Sequence, residues 1–173
     1  MGMIHVYCGD GKGKTTCAFG LALRAAGADM KVVIVQFLKG SETSELKSIS
    51  KIPNITVLRN AKDFGFINTM TDEQLSAVRD MHNENLMKAS ELVKNGECDL
   101  LILDEITYVY KMCLADKNII NDLVQNKPQD LELVITGRDP DRIFTDNADY
   151  ITEMKAVKHP FDKGVKARKG IEF

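Results

Sequence analysis

The feature that most constrains the fold lies near the start of the chain, where an apolar strand runs into a glycine-rich turn and then a helix. The strand covers residues 4–7, and the turn and helix start read GDGKGKTT over 9–16. Glycines in such a turn let the backbone N–H groups point inward as a nest of donors for phosphate oxygens, and the helix adds its positive N-terminal end. The pattern predicts a phosphate-binding loop; the alternative is a glycine-rich turn without a ligand.

The loop departs from the usual pattern at one position. The pattern G-x-x-x-x-G-K-[ST] has a glycine where this chain has Cys8. The loop is therefore either a tolerated variant or one residue shorter, beginning at Gly9. In both cases we expect Lys14 to reach the terminal phosphates of a nucleotide and the Thr15 hydroxyl to ligate Mg²⁺.

Length and charge exclude several classes of protein. With 173 residues the chain is expected to form a single domain over 1–173. A formal net charge of -2 gives no basic field, so nucleic acid is not an expected partner. The sequence begins with no charged-then-apolar leader and has no apolar run of about 18 residues, so we expect no membrane association and a cytoplasmic location.

Apolar runs alternate with helical patterns along the whole chain. Further strands are predicted at 31–37, 54–58, 98–103, 131–136 and 150–154. Helices are predicted at 14–27, from a capping box at Thr71 to about 95, at 118–125 and at 140–145. Continuous apolar strands separated by helices predict an α/β fold, a single-domain P-loop NTPase-like (RecA-like) architecture with a mostly parallel sheet and helices on both faces.

Polar residues at the carboxyl ends of these strands are the site candidates, because ligands bind at that edge of a parallel sheet. Asp104 and Glu105 follow the strand LLIL, where an acidic pair holds Mg²⁺ or orients a nucleophile; the alternative is a helix N-cap. Arg138 ends another strand and is either a clamp on a phosphate or ribose edge or an ordinary surface arginine.

Two further segments have apolar residues in otherwise polar surroundings. The loop 62–68 places Phe64 and Phe66 around a glycine, which is either a small cluster of its own or an apolar wall for a large flat ligand. The basic tail 155–173 contains regularly spaced apolar residues, which suggests that it packs back near the site.

With these motifs in place, the chain resembles the phosphate-loop type of ATP:corrinoid adenosyltransferase. The matching segments run in order along nearly the whole chain: GDGKGKTT, AFGLALRAAG, VVIVQFLKG, LLILDEI, LVITGRDP, ADYITEM and KHPFDKGVKARKGIEF. The resemblance implies that cobalt(I) of a corrinoid attacks the 5′ carbon of ATP and that the whole triphosphate leaves. The enzyme would serve adenosylcobalamin biosynthesis or salvage, with ATP, Mg²⁺ and the corrinoid bound together.

The resemblance also implies roles for particular residues. Mg²⁺ is expected on Thr15 with Asp104 or Glu105, and Lys14 and Phe66 are expected to act in catalysis, Phe66 by displacing the lower axial ligand of cobalt. The family pattern is roughly G-F-T-W, whereas this chain reads Gly65-Phe66-Ile67-Asn68 and has no tryptophan. The residues expected to hold the triphosphate are Gly9, Asp10, Gly11, Lys12, Gly13, Lys14, Thr15 and Thr16, with Arg138 beside them.

The same resemblance implies a homodimer and a reduced flavoprotein as electron donor. Two other classes share the phosphate loop and remain open on the sequence: a small-substrate kinase or ATPase, which would form ADP, and a nucleotide-dependent switch without turnover.

Overall fold

Six parallel strands build the frame that carries the predicted loop. The computed structural model describes residues 1–40, 43–59, 65 and 67–172. The strands are β1 Ile4–Cys8, β2 Val32–Gln36, β3 Ile55–Arg59, β4 Leu100–Asp104, β5 Glu132–Thr136 and β6 Tyr150–Glu153. They form one sheet in the order β3-β2-β4-β5-β1-β6, and all five neighbouring pairs are parallel. The predicted α/β fold is confirmed.

The helices connect these strands. They are α1 Lys14–Ala26, α2 Ser44–Ile49, α3 Asp72–Lys94, α4 Ile106–Lys111, α5 Lys117–Gln125 and α6 Arg142–Thr145. The capping box predicted at the start of α3 is present: the Thr71 hydroxyl accepts from Gln74 N at 3.3 Å, and Gln74 Oε1 accepts from Thr71 N at 2.9 Å. The sequence analysis predicted no helix at α2, and it considered α4 only through the alternative that the acidic pair 104–105 caps a helix.

Two apolar layers cover the two faces of the sheet, as predicted. On one face, alternate strand residues such as Val33 and Leu101 pack with α3, α4, α5 and α6. On the other face, Ile34 and Ile102 pack with α1 and with Ile49 of α2. Strands that are buried on both faces explain why their sequences are continuously apolar rather than alternating. No helix of the described residues is long and apolar enough to cross a membrane.

β6 differs from the other strands in its surroundings. It lies at the edge of the sheet beside β1, and all four of its residues are exposed. Its carboxyl end nevertheless reaches the loop after β1, where Met154 N donates to Cys8 O at 2.8 Å and Gly11 N donates to Met154 O at 2.7 Å. The edge strand therefore brings the tail of the chain to the glycine-rich loop.

Candidate active site

The glycine-rich loop occupies residues 9–13, because Cys8 still pairs with Glu153 as the last residue of β1. The backbone turns at Gly9, where φ is 102°, and again at Gly13, where φ is 115°, directly before α1. Of the two alternatives that the sequence left open, the structure favours the shorter loop that begins at Gly9.

The first two loop glycines are also required by a close backbone neighbour. A Cβ atom added at Gly9 or Gly11 would lie 2.4 Å or 2.6 Å from the carbonyl oxygen of Met154. These distances are too short for a Cβ atom, so only glycine at these two positions lets the end of β6 pack directly against the loop. The tight loop and the adjacent strand end thus depend on each other.

Lys14 lies at the start of α1 with only 8% of its surface exposed. Its ammonium donates to the Gly11 carbonyl oxygen at 2.8 Å, across the mouth of its own loop. Burial lowers the pKa of Lys14, and the charge of Glu105 partly opposes that shift. A lysine ammonium on its flexible stem is able to exchange such an acceptor for another oxygen atom.

Asp104 is the centre of a hydrogen-bonded group at the carboxyl edge of the sheet. Its side chain is fully buried. The Thr15 hydroxyl donates to Asp104 Oδ1 at 2.9 Å, and the Thr136 hydroxyl donates to the same oxygen at 2.7 Å. Gln36 Nε2 approaches Asp104 Oδ2 at 3.4 Å, while Gln36 Oε1 is buried without a hydrogen-bond partner. Three strands and α1 therefore direct polar side chains into one small volume.

The cation of this group is a residue that the sequence analysis did not select. Lys39 donates to Asp104 Oδ2 at 2.7 Å and to Thr15 Oγ1 at 2.9 Å. It lies three residues after the end of β2 at Gln36, among the polar residues at strand ends, but the sequence analysis assigned this side chain no role. The observation that identifies Lys39 is the sheet register. Gln36 pairs with Asp104, so the chain that follows β2 passes over the end of β4.

Glu105 has the most unusual backbone of the predicted residues. Its φ is 68°, and it stands at the N-cap position of α4 without capping that helix through its side chain. Its backbone N–H instead donates to Thr136 Oγ1 at 2.9 Å. Burial and the neighbouring charge of Asp104 raise the pKa of Glu105, against the lowering effect of Lys39. A helix does follow the acidic pair, as the N-cap alternative requires. The left-handed backbone of Glu105 is nevertheless strained, and strained backbone at a polar strand end is typical of functional sites.

An open cavity of about 860 Å³ adjoins the loop. A pocket of this size is within the range of sites for small molecules and cofactors. Of the predicted residues that the structure describes, two do not line it: Gly9 packs against Met154, and Asp104 bonds to Thr15 from below the cavity wall. The predicted residues that line the cavity are Asp10, Gly11, Lys12, Gly13, Lys14, Thr15, Thr16, Glu105 and Arg138. α2 and the outer part of α1 supply much of the remaining wall.

The C-terminal tail reaches the same cavity, as its apolar residues predicted. Lys12 donates to Glu172 at 3.2 Å, and the Arg168 guanidinium donates to both oxygens of the same carboxylate. Hydrogen bonds from Arg168 lower the pKa of Glu172 to about 2. Asp10 accepts from Ala156 N at 3.1 Å, and this bond lowers its pKa.

The donor set around Asp104 fits Mg²⁺. A carboxylate and a hydroxyl are hard oxygen ligands, and the Lys39 ammonium already occupies the position of a cation against both. In the part of the chain that the structure describes, no group of three or more His, Cys, Asp and Glu side chains is placed to hold a metal. Mg²⁺ needs no such group, because one or two carboxylates, waters and nucleotide phosphates suffice.

The predicted aromatic residues of the loop 62–68 lie outside the described residues. This applies to Phe66, the residue expected to act on the lower face of the corrinoid, and to Phe64.

Comparisons with known proteins identify the family of the chain. A sequence model of the family ATP:corrinoid adenosyltransferase BtuR/CobO/CobP matches residues 1–173. The corrinoid adenosyltransferase of Escherichia coli (strain K12) is 32% identical over 172 residues, covering 99% of this chain and 86% of that protein. The corrinoid adenosyltransferase of Pseudomonas aeruginosa is 34% identical over 174 residues, covering 99% and 84%.

A solved structure shows the same fold at low identity. The KaiC-like protein PH0186 from Pyrococcus horikoshii OT3 aligns with a TM-score of 0.57 and 15% identity, over 88% of this chain and 71% of its own. That likeness concerns the fold alone. The match of the family model along the whole chain shows more: the protein belongs to the ATP:corrinoid adenosyltransferase family.

Proposed function

We propose that this protein transfers the 5′-deoxyadenosyl group of ATP to cobalt(I) of a corrinoid, in the biosynthesis or salvage of adenosylcobalamin. One observation carries the proposal: each of the segments that distinguish this family from other phosphate-loop proteins either lines the cavity or is bonded to the loop beside it. Arg138 of the TGR segment lines it, Met154 of the TEM segment is bonded to Gly11, and Glu172 of the tail is bonded to Lys12.

The reaction is a displacement at carbon. Cobalt(I) supplies the electron pair of the new cobalt–carbon bond and becomes formally cobalt(III). The bond between C5′ and the α-phosphate oxygen breaks, and triphosphate leaves with that electron pair. The protein's task is therefore to hold a highly charged leaving group and leave C5′ accessible, because no phosphoryl group is transferred.

The residues of the cavity suit this task. The loop N–H groups, Lys12 and Lys14 are the proposed ligands of the triphosphate, and Arg138 adds a planar cation at the same wall. Thr15 and Asp104 are the proposed ligands of Mg²⁺, with Glu105 as a second carboxylate beside them. When bound, Mg²⁺ neutralises charge on the leaving triphosphate.

Other parts of the proposal rest on the family resemblance. They are a single adenosyltransferase domain over 1–173, a corrinoid face covered by Phe66, a reduced flavoprotein as the donor that forms cobalt(I), a homodimer and a cytoplasmic location. A small-substrate kinase or ATPase is not favoured, because the named relatives are corrinoid adenosyltransferases.

The deciding experiment is an anaerobic assay with Mg-ATP and chemically reduced cobalamin. We expect a light-sensitive alkyl-cobalt spectrum and release of intact triphosphate; unchanged cobalamin with formation of ADP would refute the proposal.

The same assay tests the site through Lys14→Ala. We expect product formation to fall at least about 100-fold, because the triphosphate loses a buried cation. Lys88→Ala is the matched control, since Lys88 forms an exposed pair with Glu84 on α3. Full activity of Lys14→Ala would refute the assignment of the site.

A further inference from the structure

Lys39 occupies an unusual position for a surface lysine. Its ammonium bridges the two oxygen-bearing side chains proposed above as Mg²⁺ ligands, at 2.7 Å from Asp104 and 2.9 Å from Thr15. Asp104 is fully buried, whereas the Lys39 side chain is 25% exposed. The buried carboxylate is thus neutralised by a cation that still has a path to the cavity, which Lys39 lines.

The backbone directs Lys39 to this position. The preceding residue, Leu38, has a φ of 58°, a left-handed conformation that a leucine adopts only when its surroundings impose it. On either side, Phe37 N donates to the Asp104 carbonyl oxygen at 3.1 Å, and Arg59 donates to the Lys39 carbonyl oxygen at 2.7 Å. These contacts turn the chain after β2 back over the end of β4.

The other two cavity lysines have different acceptors. Lys14 donates to Gly11 O, and Lys12 donates to Glu172. Of these three lysines, Lys39 is the one that donates to Asp104. A lysine ammonium is compact, singly charged and carried on a flexible stem, so it is able to exchange one set of oxygen acceptors for another.

We propose that Lys39 is a built-in substitute for the metal ion: it holds Thr15 and Asp104 together in the nucleotide-free protein and must leave them for a divalent cation to bind. This inference rests on the magnesium site of the proposed function. Lys39 and the metal exclude each other, because both need the same oxygen atoms and their charges repel.

The consequence is an order of loading. Without nucleotide, the ammonium keeps the divalent cation off Asp104. A nucleotide brings phosphate oxygens that accept the displaced ammonium, so metal and nucleotide enter together. Lys39 is therefore a positioning residue for the metal ligands and sets the dependence of metal binding on ATP.

The test measures Mn²⁺ binding to the nucleotide-free protein by electron paramagnetic resonance, without ATP or corrinoid. We expect Lys39→Met to bind Mn²⁺ at least about tenfold more tightly than the wild-type protein, because the competing charge is gone. Lys12→Met is the matched control: it removes the same charge from the same cavity without touching Asp104, and its Mn²⁺ affinity should stay near that of the wild type.

Two outcomes would overturn the inference: unchanged Mn²⁺ affinity in Lys39→Met, or an equal gain in Lys12→Met, which would indicate a general effect of cavity charge. The double variant Lys39→Met with Asp104→Asn should lose the gained Mn²⁺ binding, and retained binding would contradict the proposed location. Lys39→Gln, which keeps a hydrogen-bond donor, provides the same measurement if Lys39→Met does not fold.

The adenosyltransfer assay separates this inference from the proposed function. Adenosylated product together with unchanged Mn²⁺ binding in Lys39→Met overturns only the role of Lys39. The expected gain of Mn²⁺ affinity without any adenosylated product overturns only the reaction.

Discussion

Gly137 offers a quantitative test of how the strand ends are held together at the site. It lies between Thr136, which bonds to Asp104, and Arg138, which lines the cavity. Its φ is 145°, and an added Cβ would lie 2.0 Å from the Thr107 hydroxyl oxygen and 3.0 Å from Thr107 Cβ. Backbone strain costs about 1–3 kcal/mol, and overpacking of a buried position costs a similar amount. We therefore expect Gly137→Ala to lower the free energy of unfolding by about 2–6 kcal/mol.

Urea unfolding followed by circular dichroism measures this loss, with an unchanged m-value as the sign that the denatured state is unaffected. Thr107 supplies the internal control, because its hydroxyl both causes the closest contact and donates to the Arg138 carbonyl oxygen at 2.8 Å. Adding Thr107→Ala to Gly137→Ala should recover part of the overpacking cost of about 1–3 kcal/mol. The recovery should be partial, since the Cβ contact at 3.0 Å remains.

Thr107→Ser is the matched variant, because serine keeps the hydroxyl group. Combined with Gly137→Ala it should recover little stability. The reasoning would be refuted by a loss below about 1 kcal/mol in Gly137→Ala, or by equal recovery in the Thr107→Ala and Thr107→Ser double variants.

Three further predictions concern other parts of the chain. Thr71→Ala should lower the free energy of unfolding by about 1 kcal/mol through loss of the capping box, with unchanged adenosyltransfer; an unchanged urea midpoint would contradict this. The raised pKa of Glu105 means that its ionisation disfavours the folded state as pH rises from the ordinary glutamate pKa through the raised one. Glu105→Gln should therefore have a higher melting temperature than the wild type at pH 8, and the two melting temperatures should be the same below a pH of about 4. Equal melting temperatures at pH 8 would contradict this prediction. Phe66→Ala should impair the reaction that starts from cobalt(II) far more than the reaction from pre-reduced cobalt(I), and equal losses in the two assays would count against displacement of the lower ligand.

The fold was predictable because its signals are local and repeated. Each buried strand is a continuous apolar run, and glycine or a capping residue marks several of the helix ends, as at Gly27 and Thr71. Strand and helix ends differ from their predicted positions by a few residues, α2 was missed, and α4 was considered only as the N-cap alternative for the acidic pair. α4 is an instructive case, because it starts after a glutamate in a left-handed conformation, which no helix-start signal describes.

The site was predictable only in part. A glycine-rich loop and an acidic strand end are encoded in short segments, so Lys14, Thr15 and Asp104 could be proposed from the sequence, and the structure brings them together at the cavity. Lys39 and Thr136 lie in strand-end segments but received no role of their own, because their importance comes from neighbours 65 and 32 positions away in the chain. No local pattern distinguishes such a lysine from one that is solvated.

The sequence by itself determined a parallel α/β sheet with a tight glycine-rich loop after its first strand, since apolar periodicity and the turn chemistry of glycine act over a few residues. Tertiary structure decided the rest. Strand order β3-β2-β4-β5-β1-β6 places the end of β2 beside β4 and the end of β6 beside the loop. That order brings Lys39 to Asp104 and Met154 to Gly11. These contacts depend on which strands become neighbours, and the burial of both sheet faces, not any local motif, selects that arrangement.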